Sequence, residues 1–194
     1  MYCSCQQKGC VHCRPTVVGG TGGDVTVQKA KTWKCLSDEI SRWALTNYGR
    51  PSEPWELFLG VVEEIGEFLE ARDDEGRSDS LGDQTIYALN LQRTVGLEEF
   101  RNGTLGTSAR VNPERMLLAV ARCSRCLLKR SQGIRRFDDA MVRSEVGLFL
   151  HVWWSWACRQ ASTYNLPTML EITNRVWEKV ARRNWKQNPD TGVV

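Results

Sequence analysis

The segment that follows Pro54, WELFLGVVEEIGEFLEA, limits the fold more than any other part of the sequence. Its apolar residues recur at spacings of three and four, which is the period of one face of an α-helix. Proline is favoured in the first turn of a helix, where its missing N–H would have no partner anyway. The segment therefore predicts an amphipathic helix over residues 55–71, directly after Pro54. The residues of its apolar face are Leu57, Val61, Ile65 and Phe68.

Helical periodicity continues through most of the chain from residue 29 onward, and no two segments form a convincing pair of strands. Ser37 precedes one helical stretch and is its expected N-cap. The polar residues 73–78 predict a turn, and Gly96 predicts a helix end. The sequence therefore predicts an all-α helical bundle. The other predicted helices cover residues 37–48, 81–91, 113–129, 137–161 and 167–185.

The net charge and the length of the apolar stretches limit the class of protein. The 194 residues carry a net charge of +3, too little to predict the concentrated basic face of a protein that binds nucleic acid polymers. The longest apolar stretch, residues 146–158, is too short to cross a bilayer, and the first residues lack a secretory signal pattern. We therefore expect a cytoplasmic protein without membrane contact. A Cys-rich arm and Gly-rich linker are assigned to residues 1–28, and one helical domain to residues 29–194.

Two pairs of acids lie on consecutive predicted helices. Glu64 and Glu67 are three residues apart, so they share one helix face. Asp79 and Asp83 are four apart and share a face in the same way. Helices joined by a tight turn pack antiparallel, which brings the two acidic faces together. Four converging carboxylates repel one another unless a divalent cation neutralises them, and oxygen ligands suit Mg²⁺ or Mn²⁺.

The competing interpretation is that these acids form an ordinary solvated helix face. Gly66 and Gly82 lie between the acids, and glycine inside a helix costs about 1 kcal/mol relative to alanine. Their presence predicts a close approach of two backbones at this point. On these residues alone the metal site and the solvated face stay balanced.

Two strings around the acids resemble a known family. GVVEEIGEFLEA and DSLGDQTIYALN are similar to the MazG-like and dimeric-dUTPase superfamily of all-α nucleotide pyrophosphohydrolases. The family pattern is ExxE, a variable gap, and ExxD with an aromatic residue and an Asn downstream. The closing string VWEKVARRNWKQNPDTG resembles a MazG-like subgroup, so the likeness covers most of residues 36–192. The matching positions are Glu64, Glu67, Asp83, Tyr87 and Asn90.

The resemblance implies Mg²⁺-dependent hydrolysis of a (deoxy)nucleoside triphosphate to a monophosphate and pyrophosphate, in nucleotide-pool control or house-cleaning. Glu64, Glu67 and Asp83 are the implied catalytic residues and metal ligands, and Tyr87 and Asn90 would contact substrate. Ser80 replaces the family's acid three residues before Asp83, so the neighbouring Asp79 is the expected fourth ligand. A dUTP- or dCTP-type activity and a catalytically silent binding module are the alternatives. Neither base nor sugar is predicted.

The chain is expected to contain a second, degenerate copy of the same helical unit. Residues 29–104 form the catalytic half of this scheme, and residues 112–194 the degenerate half. Aligning the halves places Cys123 and Cys126 at the positions of Glu64 and Glu67, Glu145 at Ser80 and Leu148 at Asp83. The second half is therefore predicted to bind no catalytic magnesium. A single unit of this kind exposes an apolar helix face that is normally buried against a second copy. The fused half can take that role within one chain, so a complete pseudo-dimer and a homodimer or higher homo-oligomer both stay open.

Two groups of basic residues are candidates for binding the triphosphate. Lys129, Arg135 and Arg136 lie in a string, LLKRSQGIRR, that resembles a loop of the family. Lys179, Arg182 and Arg183 form a second group near the end of the last predicted helix. Arginine offers paired donors to phosphate oxygens. The alternative for both groups is that they are solubilising surface charges.

Four cysteines crowd into the first thirteen residues, with the dense spacing of a small structural zinc site. A second interpretation pairs two of them with Cys123 and Cys126, and a third is a flexible tail of reduced thiols. The sequence does not choose among these. The four cysteines are Cys3, Cys5, Cys10 and Cys13.

Overall fold

The computed structural model describes residues 31–97, 111–184 and 186–187. Within these ranges the chain forms six α-helices and no strand, which confirms the predicted all-α class. None of these helices is long and apolar enough to cross a membrane. The helices are α1 (Trp33–Tyr48), α2 (Pro54–Glu70), α3 (Asp74–Thr94), α4 (Pro113–Ser131), α5 (Asp139–Thr163) and α6 (Met169–Val180).

Two predicted helix starts are wrong, and in both cases an earlier side chain caps the helix. Thr32 accepts a hydrogen bond from the amide of Cys35, so α1 begins at Trp33 and Ser37 is buried inside it. Asp73 accepts one from the amide of Gly76 at 2.8 Å, so the predicted turn 73–78 is the first part of α3. A polar residue is favoured at an N-cap because it satisfies an amide that the helix leaves unpaired.

Two helical hairpins, α2–α3 and α4–α5, pack side by side through one apolar core. α2 lies beside α4, and α3 lies beside α5. In the centre the rings of Phe58 and Phe149 meet edge to face with centroids 4.9 Å apart, and Trp153 is fully buried. The hairpins follow each other as the proposed duplication requires, but the duplication itself stays a prediction.

α1 and α6 cover the other side of α3 and form a smaller apolar cluster with it. Leu36 and Ile40 of α1 and Trp177 of α6 are buried there. α3 is therefore sandwiched between a second hairpin and a pair of covering helices. The predicted arm, residues 1–28, and its cysteines Cys3, Cys5, Cys10 and Cys13 lie outside the described residues.

Candidate functional site

The backbone of α2 is tied to α3 at Glu64, the first of the predicted acids. Both Ser80 and Gln84 donate a side-chain hydrogen bond to the main-chain carbonyl of Glu64, the latter at 3.1 Å. Gln84 is fully buried, and its Oε1 accepts a hydrogen bond of 2.8 Å from the indole N–H of Trp153 on α5. Ser80 thus ties the backbone of α2 at Glu64 to α3 and contributes no charge.

The carboxyl group of Glu64 lies in an unfavourable electrostatic setting. Burial, and then the negative charges of Asp83 and Glu67, raise its pKa to about 8. Its Oε2 atom is buried and has no hydrogen-bond partner among the described residues. A buried carboxylate oxygen without a donor is costly. This site therefore favours any positively charged group that can reach it.

Asp83 on α3 shares this environment. Burial and the charge of Asp79 raise its pKa to about 6, whereas Arg183 and Lys179 act in the opposite direction. Lys179 Nζ also lies 2.8 Å from Asp79 Oδ1, so the expected fourth ligand already has a cationic partner. The four predicted acids are therefore close enough to influence one another, and two cations of the α6 region balance them in part.

α6 reaches the acids because Gly82 lets it approach α3 closely. A Cβ atom at Gly82 would clash with the side chain of Val176, whose Cβ would be 2.6 Å away. Near this contact Arg175 donates a hydrogen bond to the hydroxyl of Ser78. The backbone carbonyl of Arg183 accepts a hydrogen bond of 3.2 Å from the indole of Trp43 on α1. The close approach predicted from Gly82 is thus confirmed.

The companion prediction for Gly66 is wrong. A Cβ there would meet no atom of the described chain within 4 Å, because this part of α2 faces away from its neighbours. The glycine that α2 uses for packing is Gly60, where a Cβ would lie 2.6 Å from the ring of Tyr87. The position of a glycine between the acids therefore did not predict whether that glycine packs against another helix or is exposed.

A pocket of about 100 Å³ opens beside the acids, between α1, α2, α3 and α6. Burial raises the pKa of Tyr87 to about 12 and also raises that of Tyr48, so both phenols keep their protons near neutral pH. Asn90 is buried and accepts a hydrogen bond of 3.4 Å from Ser41. The polar and aromatic residues of the wall are Trp43, Tyr48, Glu64, Asp83, Tyr87, Asn90 and Arg183.

The structure brings together only part of the predicted substrate-binding set. Lys129 donates to Gln132 at 3.2 Å, Arg135 is exposed, and the guanidinium of Arg136 lies over the ring of Phe137. Lys129 lies in the last turn of α4, and Arg135 and Arg136 lie in the segment between α4 and α5. None of them lines the pocket or shifts the pKa of Glu64 or Asp83. Trp43 and Tyr48, which the sequence did not single out, line the pocket instead.

The chemistry of the acids fits a hard divalent cation, but their side chains are not closed around one. The described residues contain no group of three or more His, Cys, Asp or Glu placed to hold a metal ion. Nevertheless Glu64, Glu67 and Asp83 offer only oxygen donors, and Glu64 has a buried oxygen without a partner. Such donors are preferred by Mg²⁺ and Mn²⁺. These three residues would hold the ion, with Asp79 available once Lys179 leaves it.

The second hairpin has no comparable charge. Glu145, on α5, accepts two hydrogen bonds from the guanidinium of Arg122 on α4, at 2.9 and 2.6 Å. Cys123 and Cys126 are buried, and burial raises the pKa of both thiols. A larger pocket of about 770 Å³ lies at the far end of the hairpins, near Trp55 and Arg143. It contains none of the predicted acids, so we assign the site to the smaller pocket.

Comparison with known proteins adds no relative. No protein-family model, no curated protein and no solved structure matches this chain.

Proposed function

We propose that this chain is a divalent-cation-dependent nucleotide pyrophosphohydrolase of the MazG-like kind, which cleaves a (deoxy)nucleoside triphosphate between its α and β phosphates. The observation that carries the proposal is the half-buried Glu64, whose Oε2 has no partner and whose neighbours are further acids. This arrangement costs stability unless a cation neutralises it. A site that is costly without its ligand is typical of functional centres.

Each group of residues has a distinct role in this scheme. Glu64, Glu67 and Asp83 would hold the cation, and one of these carboxylates would accept the proton of the attacking water. When bound, Mg²⁺ would neutralise phosphate charge and make water a stronger nucleophile. Lys179 and Arg183 are cations close enough to lower the pKa of Asp83, and this proximity supports assigning them the contacts with phosphate oxygens.

The pocket supports a binding mode in which only part of the nucleotide is enclosed. Its volume of about 100 Å³ is below the roughly 300 Å³ of a pocket that encloses a drug-sized ligand. Aromatic walls from Trp43, Tyr48 and Tyr87 suit a flat base. The phosphates would then lie outside the pocket, over the acids and the end of α6.

The test is a panel of ribo- and deoxyribonucleoside triphosphates, each incubated with the full chain and Mg²⁺ while pyrophosphate is measured. We expect release from at least one nucleotide, and loss of this release in Glu67→Gln. Glu70→Gln, one turn further along α2 and exposed, is the matched control and should keep the activity. Absence of pyrophosphate with every nucleotide, or full activity of Glu67→Gln, would contradict the proposal. A preference for dUTP or dCTP within the panel would identify that narrower activity.

The Lys179–Asp79 contact favours one alternative, a nucleotide-binding module without catalysis. The ion pair occupies an expected metal ligand at 2.8 Å. In this case calorimetric titration with a nucleotide would show binding of similar affinity with and without Mg²⁺, and no pyrophosphate would form. Under the hydrolase proposal, binding is stronger with the cation present.

A further inference from the structure

A buried chain of polar side chains joins the second hairpin to the candidate site. The indole N–H of Trp153 on α5 donates a hydrogen bond of 2.8 Å to Oε1 of Gln84 on α3. Nε2 of Gln84 donates to the main-chain carbonyl of Glu64 at 3.1 Å and to Oγ of Ser80 at 3.3 Å. Ser80 donates to the same carbonyl. Trp153, Gln84 and Ser80 are all buried, so these bonds are shielded from water.

The indole determines which way the amide of Gln84 points. An amide side chain has a donor end and an acceptor end of nearly the same shape. An indole N–H can only donate, so Trp153 holds Oε1 of Gln84 and turns Nε2 towards α2. In the opposite orientation the amide oxygen would face the carbonyl oxygen of Glu64, and neither atom could donate to the other. Trp153 therefore favours the one orientation in which Gln84 binds α2.

The residues that bind α2 and the acids of the site form adjacent stripes on α3. Ser80 and Gln84 are four residues apart and share one stripe. Asp79 and Asp83 each precede a member of that stripe by one residue, about 100° around the helix. The bonds from Ser80 and Gln84 end on the main chain of Glu64, whose carboxyl group lines the same pocket as that of Asp83. These bonds therefore set how α2 and α3 are aligned beside the acids.

The same part of the interface between α2 and α3 carries electrostatic repulsion. Burial, and then the negative charges of Asp83, Glu67, Glu63 and Asp79, raise the pKa of Glu64 to about 8. Repulsion alone would move the carboxylates apart, whereas a Mg²⁺ ion requires its oxygen ligands at about 2.0–2.1 Å. Hydrogen bonds that fix the backbone of a ligand keep such a group of ligands in place before the ion binds.

The position of α5 is set by apolar packing. Phe149, one turn before Trp153, packs edge to face on Phe58 of α2, with ring centroids 4.9 Å apart. The ring of Trp153 lies 5.8 Å from that of Trp154. All four aromatic residues belong to the main apolar core or pack against it. The hydrogen bond from Trp153 therefore reaches α3 from a helix whose own position does not depend on the acids.

We propose that Trp153 is a positioning residue of the candidate site, which acts through Gln84 on the backbone of Glu64. The inference rests on the proposed function and gives the second hairpin a part in it. The indole keeps the carboxylates of α2 and α3 spaced for a divalent cation, and it touches neither the cation nor the substrate. Replacing residues that orient metal ligands in this way commonly lowers metal affinity by about 10- to 100-fold.

Titration of the full chain with Mn²⁺ alone, followed by the electron paramagnetic resonance signal of the free ion, tests the proposal without nucleotide or catalysis. Trp153→Phe keeps an aromatic ring but removes the N–H, and it should weaken Mn²⁺ binding about tenfold or more. Trp177→Phe is the matched control, because Trp177 is 2% exposed and its indole N–H donates to Glu39 at 3.0 Å. It should lower the Tm in a similar way but leave Mn²⁺ affinity at the wild-type value.

A double-mutant cycle shows whether the indole acts through Gln84. Gln84→Met removes the amide, so adding Trp153→Phe to it should weaken Mn²⁺ binding no further. Ser80→Ala is a smaller change that removes the other donor to the Glu64 carbonyl, and it tests the same tie if a larger variant does not fold. It should weaken Mn²⁺ binding about threefold or more.

The outcomes separate this inference from the proposed function. Mn²⁺ bound equally by wild type and Trp153→Phe would overturn the inference alone. Equal losses of affinity in Trp153→Phe and Trp177→Phe would do the same, and so would additive losses in the cycle. A wild-type chain that binds no Mn²⁺ would overturn the proposed function and the inference together.

Discussion

The two hairpins of this protein place a glutamate on a partly buried helix face in opposite electrostatic settings. In α4–α5, the carboxylate of Glu145 accepts hydrogen bonds from Nε and Nη2 of Arg122, so the pair carries no net charge. In α2–α3, Glu64 has further acids as neighbours and a buried oxygen with no donor. The first carboxylate is neutralised within the fold, whereas the second keeps an oxygen without a partner among the described residues.

The difference shows that two similar hairpins can have different roles, one structural and the other carrying the candidate site. An ion pair such as Arg122–Glu145 holds two helices together, and it leaves no charge for a ligand. Repulsion among Glu64, Asp83 and Asp79 opposes folding, and under the proposed function the same repulsion would contribute to the affinity for a cation. The second hairpin therefore supports the first through packing and through the Trp153–Gln84 hydrogen bond.

The largest expected effect is a difference in enzymatic activity between variants of Glu64 and Glu145. Glu64→Gln should lower Mg²⁺-dependent pyrophosphate release by roughly 100-fold or more, because it would remove one of the proposed carboxylate ligands of the cation. Glu145→Gln should leave the rate unchanged. The measurement is kcat/KM on the best nucleotide of the panel. Equal losses in both variants would show that the hairpins do not differ in the proposed way.

Removing the bridge between the hairpins should have the largest effect on stability. Gln84→Ala leaves the buried indole N–H of Trp153 without an acceptor and opens a cavity, so the free energy of unfolding should fall by about 2–4 kcal/mol. Urea denaturation followed by tryptophan fluorescence measures it. Gln132→Ala, at the exposed end of α4, should change stability by only about 0.5 kcal/mol or less. A Gln84→Ala protein as stable as the control would mean that the bridge contributes little.

A pair of glycines compares the packing of the two hairpins. Gly82→Ala should destabilise by about 1–3 kcal/mol, since the new Cβ would clash with Val176. Gly147→Ala, on α5, should stabilise by up to about 1 kcal/mol, because its Cβ would meet only Leu97 at 3.8 Å, an ordinary contact. The same denaturation curves report both values. Opposite signs for the two substitutions are the expected result, and equal signs would contradict it.

The smallest expected effect is a pH dependence of stability in the absence of metal. The pKa of Glu64 is raised in the folded state, to about 8, so the folded protein binds more protons than the unfolded one between about pH 5 and 8. Its contribution to stability is present below pH 4.5 and is lost as the pH rises through about 8. In EDTA, Glu64→Gln should therefore melt a few degrees above wild type at pH 8, with the gap closing towards pH 5.

The control for this comparison is Glu70→Gln, which should follow the wild-type curve at every pH. Millimolar Mg²⁺ at pH 8 should raise the Tm of wild type and leave that of Glu64→Gln in place, because a ligand stabilises only the form that binds it. Parallel melting curves of wild type and Glu64→Gln across this range would exclude the proposed charge penalty.

The sequence predicted the features that are determined by residues close together in the chain. α2 runs from Pro54 to Glu70, close to its predicted range, because apolar period and a proline at the first turn are local signals. The grouping of Glu64 with Asp83 followed from a short turn between two helices. The function of Ser80 could not be predicted, since its bond to the Glu64 carbonyl depends on how α3 is aligned against α2.

The contributions of α1 and α6 to the pocket could not be predicted from the sequence either, because they depend on contacts between residues far apart in the chain. Trp43 and Arg183 meet across 140 residues of chain, and no pattern near Trp43 identifies it as a wall of the pocket. Lys129, Arg135 and Arg136 were selected for their resemblance to a family loop, but the end of α4 and the segment after it, which carry them, do not line the pocket beside the acids. Charge alone did not reveal which basic residues would reach the acids, whereas the close contact at Gly82 brings α6 to them.

The contact between Asp79 and Lys179 joins residues one hundred positions apart, which has a consequence during synthesis. At about 5–20 residues per second, a ribosome completes the acids of α3 roughly 5–20 seconds before it adds the cations of α6. The nascent α2–α3 hairpin is therefore synthesised before the lysine that pairs with Asp79. Translation order thus leaves Asp79 open to cations in solution first and to its own lysine afterwards.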